Sequence, residues 1–187
     1  MLIAREKKES NIIEYILYMY QIEDIIRSFQ FNLDAINRSL VEQYDQPERV
    51  KEEISSWYED LIFEMQAEAI QQKGHLQRLK KVIAELQQLH QKLLTTFQDQ
   101  TYIKLYDEAK IPLKELVLKS KGQGLDSEID LALHGLYGLL VLRLKKQAVA
   151  KETELAMQKV SGFLAHLALQ YKKQQAGGLS FSEDRSN

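Results

Sequence analysis

Four histidines and the carboxylates near them are the side chains best suited to metal binding or proton transfer. The histidines are His75, His90, His134 and His166. Only His134 has a carboxylate three or four positions away, and that carboxylate, Asp130, would share its helix face. Tight metal sites use three or four protein ligands. The spacing therefore predicts no metal site, and we expect each histidine to be hydrogen-bonded in place.

A second set of residues could line a pocket for a small ligand or an enzyme active site. Its members are Tyr15, Tyr18, Glu23, Asp24 and Arg27, with His134 or Tyr137 from later in the chain. Sites commonly combine an apolar lining with a few such polar groups, and many inert cores do the same. Glu23 precedes Arg27 by four residues, which is the favoured order for a helical ion pair. We therefore favour a solvated pair there and keep the pocket as the alternative.

Other chemical patterns are absent or weak. The serines occupy no nucleophile elbow, and "KGQG", with Gly122 and Gly124, lacks the spacing of a phosphate loop. Basic residues cluster at predicted helix ends, where the helix dipole favours cations, except for Arg78, Lys80 and Lys81. Those three leave weak RNA binding as a further alternative, although nucleic-acid binding is disfavoured. The sequence predicts no catalytic residue and no cofactor.

Composition places the protein in a broad class. The 187 residues include 25 basic and 27 acidic side chains, two prolines, eight glycines and no cysteine. The net charge of -2 gives no overall attraction to nucleic acid or anionic membranes, and the lack of cysteine excludes thiolate chemistry. The apolar run in "MLIAREKKES" is too short for a signal peptide, so we expect a cytoplasmic protein. Few helix breakers predict an all-α fold.

Helix signals predict a single-domain bundle of about six to seven helices. The segment from Asn11 to Phe29 is apolar on two sides in its first half, which predicts a helix at the centre of the bundle. A membrane span needs about 20 predominantly apolar residues, and four charges interrupt this segment. They are Glu14, Glu23, Asp24 and Arg27. We therefore expect no membrane span.

The next helices follow from their caps. Asn32 caps a short second helix, and Asp45, just before Pro47, is expected to cap a third that runs to about Lys73 and is closed by Gly74. The fourth helix, from His75 to about Phe97, has apolar residues at alternating steps of three and four. His90 lies on that seam. The third and fourth helices are therefore predicted to form an antiparallel hairpin.

The second half of the chain is predicted to form three more helices. Pro112 either kinks or divides the fifth helix. Asp126 or Ser127 caps a sixth helix that runs to about Gln147, and a seventh covers about Lys151 to Gln174. The prediction is one helical domain over residues 1–175 and a flexible tail over 176–187.

Small residues predict where two of these helices pack closely. Gly135 and Gly138 lie three apart inside the sixth helix, where glycine costs about 1 kcal/mol against alanine unless space is needed. Ser161, Gly162 and Ala165 offer a matching shallow face on the seventh helix. We therefore predict a close crossing of these two helices.

Several long segments resemble a family. "REKKESNIIEYILYMYQIEDIIR", "LQQLHQKLL", "YDEAKIPLKELVLKSKG", "LHGLYGLLVLRLKKQ" and "FLAHLALQYKK" are similar to a bacterial family of small all-helical proteins catalogued as a domain of unknown function. The likeness covers nearly the whole chain, and Tyr20 stands where tryptophan is expected in relatives. The resemblance implies one helical domain and assigns no activity, cofactor or site residue.

The leading functional hypothesis is association with a second copy or with a protein partner. The sequence has more apolar helix faces than enzyme-like motifs, and Trp57 with Tyr58 offers aromatic anchors of the kind enriched in protein interfaces. We therefore favour a soluble helical protein that acts through a protein contact over an enzyme, which stays the alternative.

Overall fold

The structure, a computed structural model, describes residues 2–119 and 126–178. Within those ranges it contains eight α-helices, one short 3-10 helix and no strand, which confirms the all-α prediction. The α-helices are α1 (Leu2–Ser10), α2 (Ile12–Ser28), α3 (Leu33–Ser39), α4 (Glu48–Ala67), α5 (Gln77–Thr95), α6 (Gln100–Lys119), α7 (Glu128–Leu144) and α8 (Lys151–Gln175). Gly122, Gly124 and most of the predicted tail lie outside the described residues.

The additional helix is α1, which precedes the first predicted helix. Asn11 separates it from α2 because its side-chain Oδ1 accepts a hydrogen bond from the Ile13 N–H at 3.0 Å. An asparagine in this position satisfies a donor at the start of the following helix and interrupts the preceding one. The apolar segment therefore begins a new helix at Ile12, and the count rises to eight.

The predicted caps hold at two of three positions. The Asn32 side chain accepts from the backbone N–H three residues ahead at 3.0 Å, and Ser127, rather than Asp126, does the same for α7 at 3.1 Å. The prediction that Asp45 caps α4 is wrong. Pro47 occupies the cap position, and no side chain caps the helix. The proline side chain carries no hydrogen-bond acceptor, so the first N–H groups of α4 receive no side-chain cap.

The end of α4 differs from its prediction, and the structure decides whether Pro112 divides its helix. α4 ends at Ala67, earlier than the predicted Lys73, because Ala69 already adopts a left-handed φ of 55°. Gly74 also has a left-handed φ, at 96°, as predicted for the glycine that follows this segment. Pro112 does not divide its helix, since α6 is one element that runs through it.

The chain forms two compact units. The first consists of Met1–Lys8 and Glu14–Val82, and the second of Glu9–Ile13 and Ile83–Asn187. The single domain, the central place of the N-terminal helix and the pairing of α4 with α5 along their length remain predictions. In the first unit, the side chains of Ile16, Tyr20 and Ile26 on α2 are fully buried.

The second unit is built around the mutual packing of α6, α7 and α8. The prediction that Gly135 and Gly138 make room for α8 is wrong, because Gly135 makes room for α6 instead. A Cβ atom on Gly135 would lie 2.6 Å from Cδ1 of Leu116 on α6, so α6 needs the space there. At Gly138, no described atom outside its own helix lies within 4 Å. Gly162 faces Leu105 of α6 at 4.0 Å. Gly135 and Gly162 therefore face α6, Gly138 is left uncovered, and Ser161 and Ala165 are exposed.

Candidate functional site

The residues predicted to form a ligand pocket lie in both units. Tyr15, Tyr18, Glu23, Asp24 and Arg27 belong to the first unit, and His134 and Tyr137 to the second. The predicted interface anchors, Trp57 and Tyr58, belong to the first unit.

Glu23 is a buried anchor rather than half of a solvated ion pair. Its side chain is fully buried, with Oε2 at 2.5 Å from His75 Nδ1 and Oε1 accepting from the Leu76 N–H at 3.0 Å. The His75 ring stacks on Tyr20 with centroids 3.6 Å apart. The expected pairing with Arg27 is therefore wrong, because the carboxylate instead fastens the chain before α5 to α2.

Arg27 holds the loop between α4 and α5. Its guanidinium forms an ion pair with Asp24 at 2.9 Å and donates to the Ile70 carbonyl at 3.3 and 3.4 Å and to the Gly74 carbonyl. An arginine fork suits several acceptors at once. Any ligand at this position would have to compete with these contacts, so the geometry favours a structural role.

The remaining aromatic candidates of the first unit are largely enclosed. Burial raises the pKa of Tyr18 to about 12, and it also raises the pKa of Tyr15, whose hydroxyl accepts from Arg78 at 3.4 Å. Trp57 is half-buried and meets the ring of Tyr58 edge-on at 5.3 Å, while Tyr58 is 1% exposed. Tyr58 therefore contributes to the core, and Trp57 retains partial access to solvent.

The second unit contains a buried polar cluster of His90, Tyr102, Tyr106 and Glu128, which we call the His90 cluster. His90 is fully buried, with Nδ1 at 2.7 Å from the Tyr102 hydroxyl and Nε2 at 3.5 Å from Glu128 Oε2. Tyr106 donates to the same carboxylate at 2.7 Å. The contact with the His90 ring and the hydrogen bond from Tyr106 outweigh burial and lower the pKa of Glu128.

The His90 cluster has the contacts of a packed core. The Phe163 ring lies within 6.2 Å of each of its three rings, and burial raises the pKa of Tyr102 above its usual range. None of the four residues lines the cavity described below. His90 is thus a buried histidine held in place by a hydrogen bond to the Tyr102 hydroxyl, as expected for each histidine from the sequence.

His134 is hydrogen-bonded in place by Asp130, as the spacing predicted. Its Nδ1 lies 2.9 Å from the Asp130 carbonyl oxygen and 3.2 Å from Oδ1. Burial acts to lower the pKa of His134, but these two interactions outweigh it and raise the pKa. Among the described residues, no three histidine, aspartate or glutamate side chains are grouped so that they could hold a metal ion.

The second unit has a groove between α6, α7 and α8 that is open to solvent, and we call it the α6–α8 groove. Its volume is about 750 Å³. Its lining residues are Glu108, Ile111, Pro112, Glu115, Leu116, Leu131, His134, Gly135, Gly138, Leu139, Leu142, Glu152, Thr153, Leu155, Ala156, Met157 and Lys159. The lining is predominantly apolar, and Ile111 and Leu155 remain 70% and 53% exposed.

The charged residues of the groove are mostly acidic. Glu108 and Glu115 lie on α6 and Glu152 on α8, and all three are exposed. Within the described part of the chain, none of the three is joined to a cation by a salt bridge. Lys159 adds one positive charge, so three carboxylates and one ammonium give the lining a net charge of -2 with His134 neutral.

Sequence reasoning did not identify this groove. Glu108, Ile111, Pro112 and Glu115 recur at helical spacing on one face of α6, a pattern that also fits an ordinary solvated rim. A further available signal was α7, which has apolar residues all round and lacks a continuous polar face. Such a helix is normally buried, yet none of its residues from His134 to Leu144 is buried here.

Comparison with known proteins identifies the family. No curated protein and no solved structure is detectably similar to the chain. In the part of the chain that the structure describes, no helix has both the length and the apolar character that crossing a membrane requires. A sequence profile described as "Domain of unknown function (DUF4924)" matches residues 1–178. The chain therefore belongs to this family of unknown function.

Proposed function

We propose that this protein acts through association with another polypeptide chain, and that the α6–α8 groove is the contact surface. The observation that carries the proposal is an apolar trough with an uncovered glycine, Gly138, on one wall and exposed Ile111 and Leu155 on the others. Exposed apolar surface of this kind marks contact sites on proteins.

The energetic argument rests on the exposed side chains. Burying a fully exposed leucine or isoleucine contributes about 1.5–3 kcal/mol. Because Ile111 and Leu155 are 70% and 53% exposed, each would contribute about 1–2 kcal/mol when covered. Contacts along α7 would add to this, since the half-exposed apolar residues of that helix lie beside them.

Two alternatives receive less support. A ligand pocket beside α2 would need Glu23 and Arg27, and both side chains are engaged in contacts within the first unit. RNA binding through the basic "RLKK" segment would need Arg78, whose guanidinium pairs with Glu64 at 3.1 Å. We therefore place the function at the groove. The resemblance to a bacterial family supports a bacterial setting for it, and a cytoplasmic location stays a prediction.

The test fills the groove without disturbing the core. Gly138→Leu places a side chain where no described atom outside the helix lies within 4 Å, and Ala165→Leu adds a leucine at an exposed position of α8 outside the groove. Circular dichroism would first establish that both variants fold like the wild type.

Sedimentation velocity of the three purified proteins, alone and with proteins that co-purify with the wild type, then measures association. We expect a complex for the wild type and for Ala165→Leu, and its loss for Gly138→Leu. A strict monomer at high concentration with the same co-purifying proteins for all three would refute the proposal.

A further inference from the structure

We infer that the α6–α8 groove binds an amphipathic helix whose apolar face is flanked by lysine or arginine. This inference rests on the proposed function and adds the chemistry of the partner. It follows from four features of the groove, namely its length, the open space at Gly138, the sign of its charges and the backbone acceptor that Pro112 leaves on α6.

The length of the groove suits a helix. The lining residues of α7 extend from Leu131 to Leu142, and those of α6 from Glu108 to Leu116. At 1.5 Å per residue, these segments are about 17 Å and 12 Å long. A helix of about three turns covers that distance and can place residues at steps of three, four and seven in an apolar trough.

Gly138 provides the close approach that such a partner needs. It is exposed, it lies in the middle of α7, and the space around its missing side chain is open. Because a mid-helix glycine has an intrinsic cost, its place on the wall of an open groove is explained if a partner side chain fills that space. Gly135, by contrast, already has its space filled by Leu116.

The negative charge of the groove favours a partner with positively charged side chains. Glu108 and Glu115 are seven residues apart on α6, which separates them by about two turns or 10 Å, and Glu152 lies on α8. Acidic groups are thus present on two of the three helices. Cations at matching two-turn spacing on a partner helix would meet them, whereas nucleic acid and anionic lipid would be repelled.

Pro112 leaves a backbone carbonyl of α6 without its helical donor. Proline has no N–H, so the carbonyl oxygen of Glu108, four residues earlier, lacks its usual helical donor. Both residues line the groove. A lysine or arginine that pairs with the Glu108 carboxylate would bring N–H donors to this region.

The experiment uses the full-length chain and three labelled peptides. Each peptide is an 18-residue helix with the same leucine face, and its flanking positions are lysine, glutamine or glutamate. Fluorescence anisotropy measures binding to the wild type, to Gly138→Leu, and to a triple variant with Glu108→Gln, Glu115→Gln and Glu152→Gln. A control triple variant carries Glu42→Gln, Glu52→Gln and Glu59→Gln, which makes the same change in net charge at exposed positions of the first unit.

We expect the lysine peptide to bind the wild type most tightly and the glutamate peptide most weakly. Each neutralised groove glutamate should weaken the lysine peptide roughly 1.5- to 5-fold, as is typical of exposed ion pairs. The control variant should leave binding unchanged, Gly138→Leu should abolish it, and added salt should weaken it.

Two results would overturn the inference, and they differ in what they mean for the proposed function. If all three peptides bind equally and Gly138→Leu blocks each of them, association through the groove stands and the basic partner is rejected. If the lysine peptide fails to bind, or binds Gly138→Leu as well as the wild type, the groove is not a site for a basic helix. The sedimentation test above then decides the proposed function separately.

Discussion

Alanine at each of the two glycines of α7 tests the packing that shapes the groove. Replacing a glycine inside a helix by alanine favours folding by about 1 kcal/mol when the new methyl group meets no obstacle. Gly138 has no described atom outside its helix within 4 Å, so Gly138→Ala should stabilise the protein by nearly that amount. The same substitution at Gly135 meets a different environment.

At Gly135 the new Cβ atom would lie 2.6 Å from Cδ1 and 3.2 Å from Cδ2 of Leu116. These are the ends of a flexible and only half-buried side chain, so Leu116 can rotate away at a cost of about 0.5–1.5 kcal/mol. That cost offsets the helical gain. We therefore expect Gly135→Ala to have nearly no net effect on the free energy of unfolding.

Thermal unfolding followed by circular dichroism measures the difference. For a chain of this size, 1 kcal/mol shifts Tm by about 2–4 °C, so Gly138→Ala should raise Tm by roughly that amount and Gly135→Ala should leave it unchanged. In a Leu116→Ala background, Gly135→Ala should recover the gain, because the obstructing atoms are gone. Equal increases for both single variants would refute the close approach at Gly135, and a fall in Tm for Gly138→Ala would refute the open space at Gly138.

Three further perturbations test the contacts behind the architecture. Because the pKa of Glu128 is lowered in the folded protein, its contribution to stability is present above the ordinary pKa of 4.5 and is lost as the pH falls through the folded pKa. The difference in urea midpoint between the wild type and Glu128→Gln should therefore shrink from pH 7 to pH 3.5. A constant difference would contradict the contact with His90. Glu23→Ala leaves the buried Leu76 N–H without its acceptor and should lower the free energy of unfolding by about 1–3 kcal/mol, measured by urea denaturation. An unchanged free energy of unfolding would argue against the buried contact. Pro112→Ala restores a helical N–H, which favours α6 by up to about 3 kcal/mol, and removes two buried methylenes, which costs about 0.8 kcal/mol each. Tm should therefore rise, and an unchanged or lower Tm would contradict a net cost of the proline.

Features that depend on neighbours in the sequence were predictable. The caps at Asn32 and Ser127 and the left-handed conformation of Gly74 follow from what one residue type does to the adjacent backbone. The pairing of His134 with Asp130 likewise follows from a four-residue helical spacing. In each case the partner lies within one turn of helix.

Features that depend on distant partners were not predictable in the same way. The spacing of Glu23 and Arg27 favours a local pair, but the His75 partner of Glu23 is 52 residues away and no periodicity indicates it. Gly138 was recognisable as unusual, yet whether a glycine accommodates a neighbour or leaves a surface open depends on where three helices meet. The groove is a product of that meeting.

The unequal attachment of α7 has a consequence for its amide protons. Its first turn is capped by Ser127 and held by Gln87, whose side chain accepts from the Ile129 N–H at 3.2 Å, and its residues from Ile129 to Leu133 are buried. Beyond His134 no residue of the helix is buried. Deuterium should therefore enter α7 from its carboxyl end, and a molecule seated in the groove should slow exchange there while hardly affecting the first turn.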